Sequence, residues 1–301
     1  MSKRSVSVCA VAAMSLMPVL AQEGGSSELL DYVKNNAANM AEDQVARGLR
    51  SLADNLEVTI SGLEGDKPLF AILAVTPLID DREGGHALFA QTSLSRNDGR
   101  NTGNLGLAYR KLLADDTVIL GLNGFYDSEW TYGHERASIG VEALTSVGDL
   151  RFNQYWAQSD TELGKNDAAE TALDGYDIEL AVPLPYLPKT KVHAKSFEYD
   201  GNGTQVKIEG EQFSLRTQLP YGFILEGGST SYDDATPDQD FISLSYNLAF
   251  GTAAPLASEP LVSKSAFQLR PISNRRFEKV RRSNTITKSG SGAVRVRVSG
   301  V

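Results

Sequence analysis

Asp127 and His134 stand on either side of one predicted loop and form the pair of side chains best suited to acid–base chemistry. A carboxylate that orients an imidazole can help to move a proton during hydrolysis. Two such residues also meet often by chance where a loop joins two strands, and no G-x-S-x-G elbow or Walker loop accompanies them. We therefore predict no catalytic or cofactor-binding residue and no cofactor, and we keep a hydrolase only as an alternative.

The histidines and the cysteine offer no further chemistry. His86, His134 and His193 fall on separate predicted strands, with no other histidine or cysteine at ligand spacing, so no metal site is predicted. Cys9 is the only cysteine and lies in the apolar run at the start of the chain. The mature chain is therefore expected to have no disulfide and no thiol chemistry.

A larger set of charged side chains suits a hydrogen-bonded network. A charge that faces lipid at the middle of a bilayer costs ~2–4 kcal/mol, so charged residues of membrane-crossing strands are expected to point into a wet interior. On this argument six residues are candidates for an internal network: Arg96, Asp98, Arg100, Arg110, Arg136 and Glu142.

The elements that would position this network are alternating strands. Between residues 101 and 160, four runs have an apolar residue at every second position; in the first, Leu105, Leu107 and Tyr109 oppose Arg110 and its polar or small neighbours. A period of two over about ten residues, with charge on one face only, is typical of a strand that crosses a bilayer between lipid and a wet lumen. One such strand alone would also fit a sandwich.

The rest of the chain extends the pattern to twelve candidate strands, an even number as bacterial barrels require. They lie at about 56–63, 68–78, 86–95, 103–113, 117–127, 134–145, 149–158, 175–183, 190–199, 211–219, 222–232 and 240–250. Short connections follow the even-numbered strands, and longer polar ones follow most odd-numbered strands, which favours a membrane barrel over a sandwich. The candidates for interfacial aromatic girdles are Trp130, Tyr132, Tyr155, Trp156 and Tyr246.

The start of the chain predicts export. Residues 1–21 combine Lys3 and Arg4, an apolar run and a V-L-A cleavage site, which is typical of a bacterial signal peptide. Residues 22–55 follow as a separate segment, in which apolar residues recur every three or four positions from residue 26. This spacing predicts an amphipathic helix on the periplasmic side.

Charge separates the end of the chain from its body. Residues 251–301 hold ten basic and two acidic residues, net +8, whereas residues 22–250 hold 17 basic and 36 acidic residues, net −19. Opposite charges predict that the tail contacts the body, with Arg276, Arg281 and Arg282 as candidate contacts. A nucleic-acid partner does not fit an exported chain.

Several motifs resemble one known family. The segments R-N-D at 96–98, R-N at 100–101, F-Y-D at 125–127, G-H-x-R at 133–136 and G-x-E at 140–142 resemble the signature of the inverse autotransporters, the intimin and invasin β-domain. Residues 276–286, RFEKVRRSNTI, resemble the linker that follows the barrel in that family. The resemblance spans roughly residues 26–288.

The resemblance implies an all-β fold, a twelve-stranded antiparallel outer-membrane barrel with its N-terminus in the periplasm. It also implies that the linker returns through the lumen and carries a C-terminal passenger to the cell surface. We therefore expect four regions: the signal peptide (1–21), the periplasmic helix (22–55), the barrel (56–250) and the basic linker or tail (251–301). The last region is too short for a full Ig-like passenger domain.

The expected function is to anchor and export the C-terminal segment, with no enzymatic step. The expected partners are the outer-membrane lipid bilayer of a Gram-negative bacterium and the barrel-assembly machinery, together with an unidentified surface ligand if the chain acts in adhesion. The first alternative is a pore or structural barrel that its own basic tail plugs, and the second is the hydrolase.

Overall fold

The computed structural model describes residues 55–62, 68–201, 206–233, 237–249 and 262–289. The predicted signal peptide lies outside the described residues. So does the predicted amphipathic helix, apart from Asn55, which begins the first strand.

Twelve strands form one closed antiparallel barrel, which confirms the predicted fold class. Their bounds are β1 Asn55–Ser61, β2 Leu69–Asp81, β3 His86–Asn97, β4 Arg100–Leu113, β5 Val118–Glu129, β6 His134–Thr145, β7 Asp149–Ala157, β10 Asp174–Leu184, β11 Leu187–Asp200, β12 Lys207–Gln218, β13 Phe223–Tyr232 and β14 Gln239–Ala249. Two short strands, β8 Glu162–Leu163 and β9 Ala169–Ala172, lie between β7 and β10, and β15 Lys288–Ser289 pairs with β9. Within the described ranges, 3-10 turns cover Lys165–Asp167, Pro220–Gly222 and Ser273–Arg275.

Alternate residues of the strands face outward and inward, as the sequence predicts. On β4, Leu105 and Leu107 are exposed on the outer wall, whereas Asn104 and Arg110 are buried inside. Inside the barrel, glycine makes room for large neighbours: a Cβ on Gly106 would lie 2.2 Å from the Phe125 ring, and one on Gly121 would lie 2.5 Å from Glu142. Among the described residues, no helix is long and apolar enough to cross a membrane.

The two ends of the barrel differ in their connections. We call one the short-turn end, where residues 82–85, 114–117, 146–148, 185–186 and 219–222 join the strands, and the other the long-loop end, where the connection between β7 and β10 is the longest. At the long-loop end one prediction is wrong: the seven-residue loop expected after residue 95 is a two-residue turn, and both strands extend to it. Asp98 and Gly99 have φ of 50° and 79°, the conformation of a type I′ hairpin turn, which Asp-Gly favours.

The described part of the tail begins at the short-turn end and then enters the barrel. Ser263 N–H donates to the carbonyl of Tyr186, and Ile272 N–H donates to the carbonyl of Asp116, both in short turns. Residues 273–289, which we call the lumen segment, then run inside the wall, and Leu173 N–H donates to the carbonyl of Thr287 near the long-loop end.

Candidate functional site

Asp127 is the centre of the contacts between the barrel and the lumen segment. The register of β4, β5 and β6 places Asn104, Asp127 and Arg136 side by side on the inner wall. Arg282 of the lumen segment donates to both carboxylate oxygens of Asp127, at 2.9 and 2.5 Å, and Arg136 Nε donates to Oδ2 at 2.9 Å. One carboxylate therefore holds one guanidinium of the wall and one of the tail, and all three side chains are fully buried.

Tyr155 supports the same contact from β7. Its hydroxyl donates to Asp177 Oδ2 at 2.7 Å and accepts the Ser283 N–H at 2.8 Å. Its ring lies 4.4 Å from the Arg136 guanidinium carbon, which is cation–π distance. Tyr155 is therefore buried inside the barrel, and the prediction that it lies in an aromatic girdle is wrong. Alternate residues of β7 face opposite sides, so Trp156 is the one that faces outward.

Arg281 binds the opposite side of the lumen. Its guanidinium donates to Glu179 of β10 at 3.1 Å and to Glu226 of β13 at 3.1 Å. Lys279, two residues earlier, donates to Glu57 of β1 at 2.5 Å. Successive residues of an extended segment point to opposite sides, so Arg281 and Arg282 reach opposite sides of the lumen. The basic residues of the tail therefore reach acidic residues all around the wall.

Two ion pairs hold the lumen segment near the short-turn end. Arg275 makes a bidentate contact with Asp149, at 2.8 and 2.9 Å, and Arg276 makes another with Asp80, at 2.8 and 3.1 Å. Arg110 of the wall donates to the main-chain carbonyl groups of Arg275, Arg276 and Glu278, while its Nε donates to Glu142 at 2.6 Å. Glu142 thus orients Arg110, which binds the main chain of the tail.

Apolar contacts supplement the ion pairs. Phe277 and Val280 of the lumen segment pack in one cluster with inward residues of the wall: Leu73, Val75, Ala87, Phe89, Ala108 and Phe125. The Phe277 and Phe89 rings meet edge to face, with centroids 6.0 Å apart. This cluster explains why β2 is apolar on both faces, because its inner face packs against the tail rather than water.

A charged cluster surrounds the tail at the long-loop end. Lys288 contacts Glu129, and Arg100 bridges Glu129 and Glu170, at 3.1 and 2.6 Å. Burial alone would raise the pKa of the Glu170 carboxyl, but the bond from Arg100 and the charges of Arg100 and Lys288 hold this pKa below its usual value. Glu170 belongs to β9, the strand with which β15 of the tail pairs.

The structure brings together seven of the nine residues that the sequence singles out. Arg110, Arg136 and Glu142 line the lumen. Arg281 and Arg282 belong to the tail and bind acidic residues of the wall. Arg100 lies at the long-loop end of the lumen and Arg276 at its short-turn end.

The expected inward positions of Arg96 and Asp98 are wrong. Gln91, Ser93 and Ser95 occupy the inward positions of β3, which turns Arg96 to the outer wall opposite Phe70. Asp98 is at the hairpin turn, where it accepts a bond from Lys165 at 3.0 Å. Both errors follow from the loop that was expected after residue 95. Because β3 continues to Asn97 and β4 begins at Arg100, alternation along these strands determines which way Arg96 points and leaves Asp98 in the turn.

Asp127 and His134 do not form the pair on which the hydrolase alternative depends. Asp127 lies opposite Arg136, and its oxygens are taken by two guanidinium groups, whereas His134 Nε2 contacts Glu170 at 3.3 Å. Within the described ranges, no group of three histidine, cysteine or acidic residues could hold a metal ion.

Sequence reasoning missed Phe277, Val280 and Tyr155 as parts of this site. The first two are apolar residues in a basic tail, and nothing local indicates what covers them. The apolar inner face of β2 was the available signal, because a strand lining a wet lumen should be polar on that face.

Comparisons with known proteins bear on the family and the fold. The model of the family described as "Inverse autotransporter, beta-domain" matches residues 11–284. The invasin of Yersinia enterocolitica is 26% identical over 142 residues, which cover 45% of this chain and 17% of the invasin. An attaching and effacing protein homolog of Escherichia coli (strain K12) is 27% identical over 121 residues, covering 38% of this chain and 39% of the homolog. The chain thus matches well under half of the length of either relative.

One solved structure supports the fold. A membrane protein studied for the mechanism of in-meso crystallization superposes with a TM-score of 0.66 at 19% identity, covering 79% of this chain and 99% of that one. At this identity the likeness concerns the fold alone.

Proposed function

Because the chain belongs to the inverse autotransporter β-domain family, we propose that its barrel anchors and exports its own C-terminal segment. It is an outer-membrane β-barrel of a Gram-negative bacterium, and a lipid bilayer surrounds its strands. Export means that the tail passes from the short-turn end, through the lumen, to the cell surface at the long-loop end.

The course of the lumen segment carries this proposal. Its contacts begin with Asp80 and Asp149 near the short turns, continue through Asp127 and end with Glu129 near the long loops. An extended chain of 17 residues can span about 56 Å, more than the thickness of a bilayer. A tail held along this line would fix an exported segment to the membrane without a covalent anchor.

The proposal sets the orientation and the partners. Short turns face the periplasm in bacterial barrels, so the N-terminus and the entrance of the tail would be periplasmic. Insertion would then depend on the barrel-assembly machinery. Adhesion to an unidentified surface ligand, suggested by the likeness to an invasin, would require residues that the tail presents outside; cells that express the chain should then bind a surface better than cells whose chain lacks residues 290–301.

An epitope tag after Val301 tests export. Antibody on intact cells should reach the tag, and external protease should remove it without breaking the outer membrane. A control tag in the turn at residues 114–117 should be reached only after the membrane is opened. A tag after Val301 that behaves like this control would reject export.

A second candidate function is a pore that the tail closes. A cavity of about 200 Å³ remains beside the lumen segment near the short-turn end, lined in part by Glu57, Lys191, His193, Arg216 and Lys279. Water and ions could fill this space if the tail withdrew. Removing residues 251–301 should then raise single-channel conductance in planar bilayers, and unchanged conductance would reject the plug.

A further inference from the structure

The lipid-facing wall is not equally tall around the barrel. On β5 the outward apolar and aromatic residues run from Leu120, which is 46% exposed, to Trp130 just past the strand, which is 43% exposed. These ten residue steps span about 34 Å along the strand at 3.4 Å per residue. With a strand tilt of about 40°, they cover the roughly 25 Å of depth that an outer-membrane apolar band needs.

On β12 and β13 the apolar wall stops early. The outward residues of β12 are Leu215 and Phe213 near the short-turn end, and the next outward positions are Glu211 and Glu209. Phe213 is only six residues from Leu219, the exposed apolar residue just past the strand, which is about 20 Å along the strand. At the same tilt this gives an apolar depth of about 16 Å, well short of the roughly 25 Å of the usual band.

Neighbouring strands continue this polar region. Register pairs Glu211 with Ser196 and Ser231, Glu209 with Glu198, and Ser229 with Asp240. We call this patch the polar sector, defined by the outward side chains of Ser196, Glu198, Glu209, Glu211, Ser229, Ser231 and Asp240.

Opposite the polar sector, the wall at the same height is apolar. Ser229 lies six residues from the short-turn end of β13 at Phe223, and Ile139 lies six residues from the short-turn end of β6 at Thr145. Ile139 is 52% exposed on the outer wall, next to exposed Val141. Two residues at equal height therefore present opposite chemistry to the membrane.

We propose that the bilayer is locally thinned against β11–β14, so that the lipid head-group layer descends onto the polar sector. Bilayers adjust to a short apolar wall by thinning, at a small cost per ångström of mismatch. Leaving Glu211 and Glu209 in hydrocarbon would instead remove two carboxylates from water. The contacts at the upper edge, Lys207 to Glu209 at 2.5 Å and to Glu198 at 3.6 Å, are half exposed and fit a wet head-group environment.

A head-group layer fits this surface better than a second copy of the chain. Four of the seven residues of the polar sector are acidic, so two such faces would repel each other. Each of β11, β12, β13 and β14 is also paired on both sides, which leaves no strand edge for another chain to extend.

The position of the polar sector has a consequence for barrel closure. β14 pairs with β1 over seven residues, from Asn55 with Ala249 to Ser61 with Ser243, and this seam adjoins the thinned region. When β1 and β14 pair to close the barrel during insertion, their polar residues would therefore have to pass through a thinner layer of hydrocarbon.

Site-specific labelling tests the proposal. In a chain whose single cysteine is replaced (Cys9→Ser), an environment-sensitive fluorophore is placed by Ser229→Cys, with Ile139→Cys as the control at equal height. Each protein is reconstituted into phosphatidylcholine vesicles with 18-carbon acyl chains. We expect the probe at 229 to emit further to the red and to be quenched several-fold more by iodide than the probe at 139, which lipid-attached quenchers should reach.

Two results would overturn the proposal. Equal quenching of both probes by lipid-attached quenchers would place residue 229 in hydrocarbon of normal thickness. Protection of the probe at 229 from both quenchers would mean that protein, such as a second copy, covers the sector.

A second variant keeps the question answerable if labelling disturbs the fold. Glu211→Leu with Ser229→Leu extends the apolar wall, so refolding into vesicles with 18-carbon chains should approach the yield in 12-carbon chains, whereas the unmodified chain should prefer the thinner vesicles several-fold. An unchanged preference in the variant contradicts local thinning.

Discussion

At the residue scale, Asp127 joins one arginine of the tail to one arginine of the wall. Its carboxylate faces two buried guanidinium groups, Arg136 and Arg282, and also accepts a bond from Asn104 at 2.7 Å. A carboxylate shared in this way compensates two charges that would otherwise be buried beside each other. Its removal should therefore affect the wall and the tail together.

Asp127→Asn tests this role. The substitution keeps the shape but leaves two buried guanidinium groups without their counter-charge, which should cost roughly 3–5 kcal/mol of unfolding free energy. Urea unfolding of the barrel in detergent or lipid measures the change. Asp115→Asn, in an exposed short turn, is the control and should change it by less than about 0.5 kcal/mol. Equal stability of the two variants would contradict the role of Asp127.

Acid should loosen the tail at the long-loop end through Glu170. Because the pKa of this carboxyl is lowered in the folded protein, its bonds to Arg100 and His134 stabilise the folded state above the ordinary value and are lost as pH falls through the lowered one. The protection of the Ser289 amide against hydrogen exchange, taken relative to the intrinsic rate at each pH, should therefore fall in acid. In Glu170→Gln this protection should already be lower at neutral pH and should change less on acidification; an identical pH profile of protection would contradict this.

Alternation in the sequence was enough to predict which charged residues face inward, as Arg110, Arg136 and Glu142 show. It failed for Arg96, because one mistaken turn shifts the ends of two strands, and for Tyr155, because aromatic rings occur both at membrane interfaces and in packed lumens. The partners of Arg281, Glu179 and Glu226, lie 102 and 55 residues away in the chain. Only the closed barrel brings such residues together.

At the element scale, most of the lumen segment forms no strand ladder with the barrel, and only its end, β15, pairs with β9. It is held by side chains of the wall, such as Gln91, whose Oε1 accepts the Val280 N–H at 2.7 Å. Twelve strands and their order were predictable from period-two runs. The small sheet of β8, β9 and β15 was not, since strands of two to four residues carry no periodicity.

Phe277 should anchor the first half of the lumen segment. Phe277→Ala removes its contacts with Phe89 and should cost about 3–5 kcal/mol if the space stays empty. Limited proteolysis should then cut the tail near residue 277 more readily. Phe267→Ala is the matched control, because Phe267 is 52% exposed and should have little effect. If protease cuts both variants equally, Phe277 does not anchor the lumen segment.

At the scale of the whole molecule, charge and topology act together. The net +8 of residues 251–301 against the net −19 of residues 22–250 indicated contact, and the structure resolves it into ion pairs on β1, β2, β5, β7, β10 and β13. Charge balance alone indicated neither the direction of the lumen segment nor the pairing of its end with β9 near the long loops. These depend on barrel closure.

The most direct test of the central claim is a disulfide across that last pairing. Thr171 and Ser289 are register partners in β9 and β15, and opposed antiparallel residues have the Cα spacing that a disulfide needs. In a Cys9→Ser chain, Thr171→Cys with Ser289→Cys should form an intramolecular disulfide in isolated outer membranes. Thr171→Cys with Ser265→Cys should not, because Ser265 lies at the short-turn end, two residues from the Ser263 contact with Tyr186. A disulfide in the second pair, or in neither pair, would contradict a tail that runs the length of the lumen.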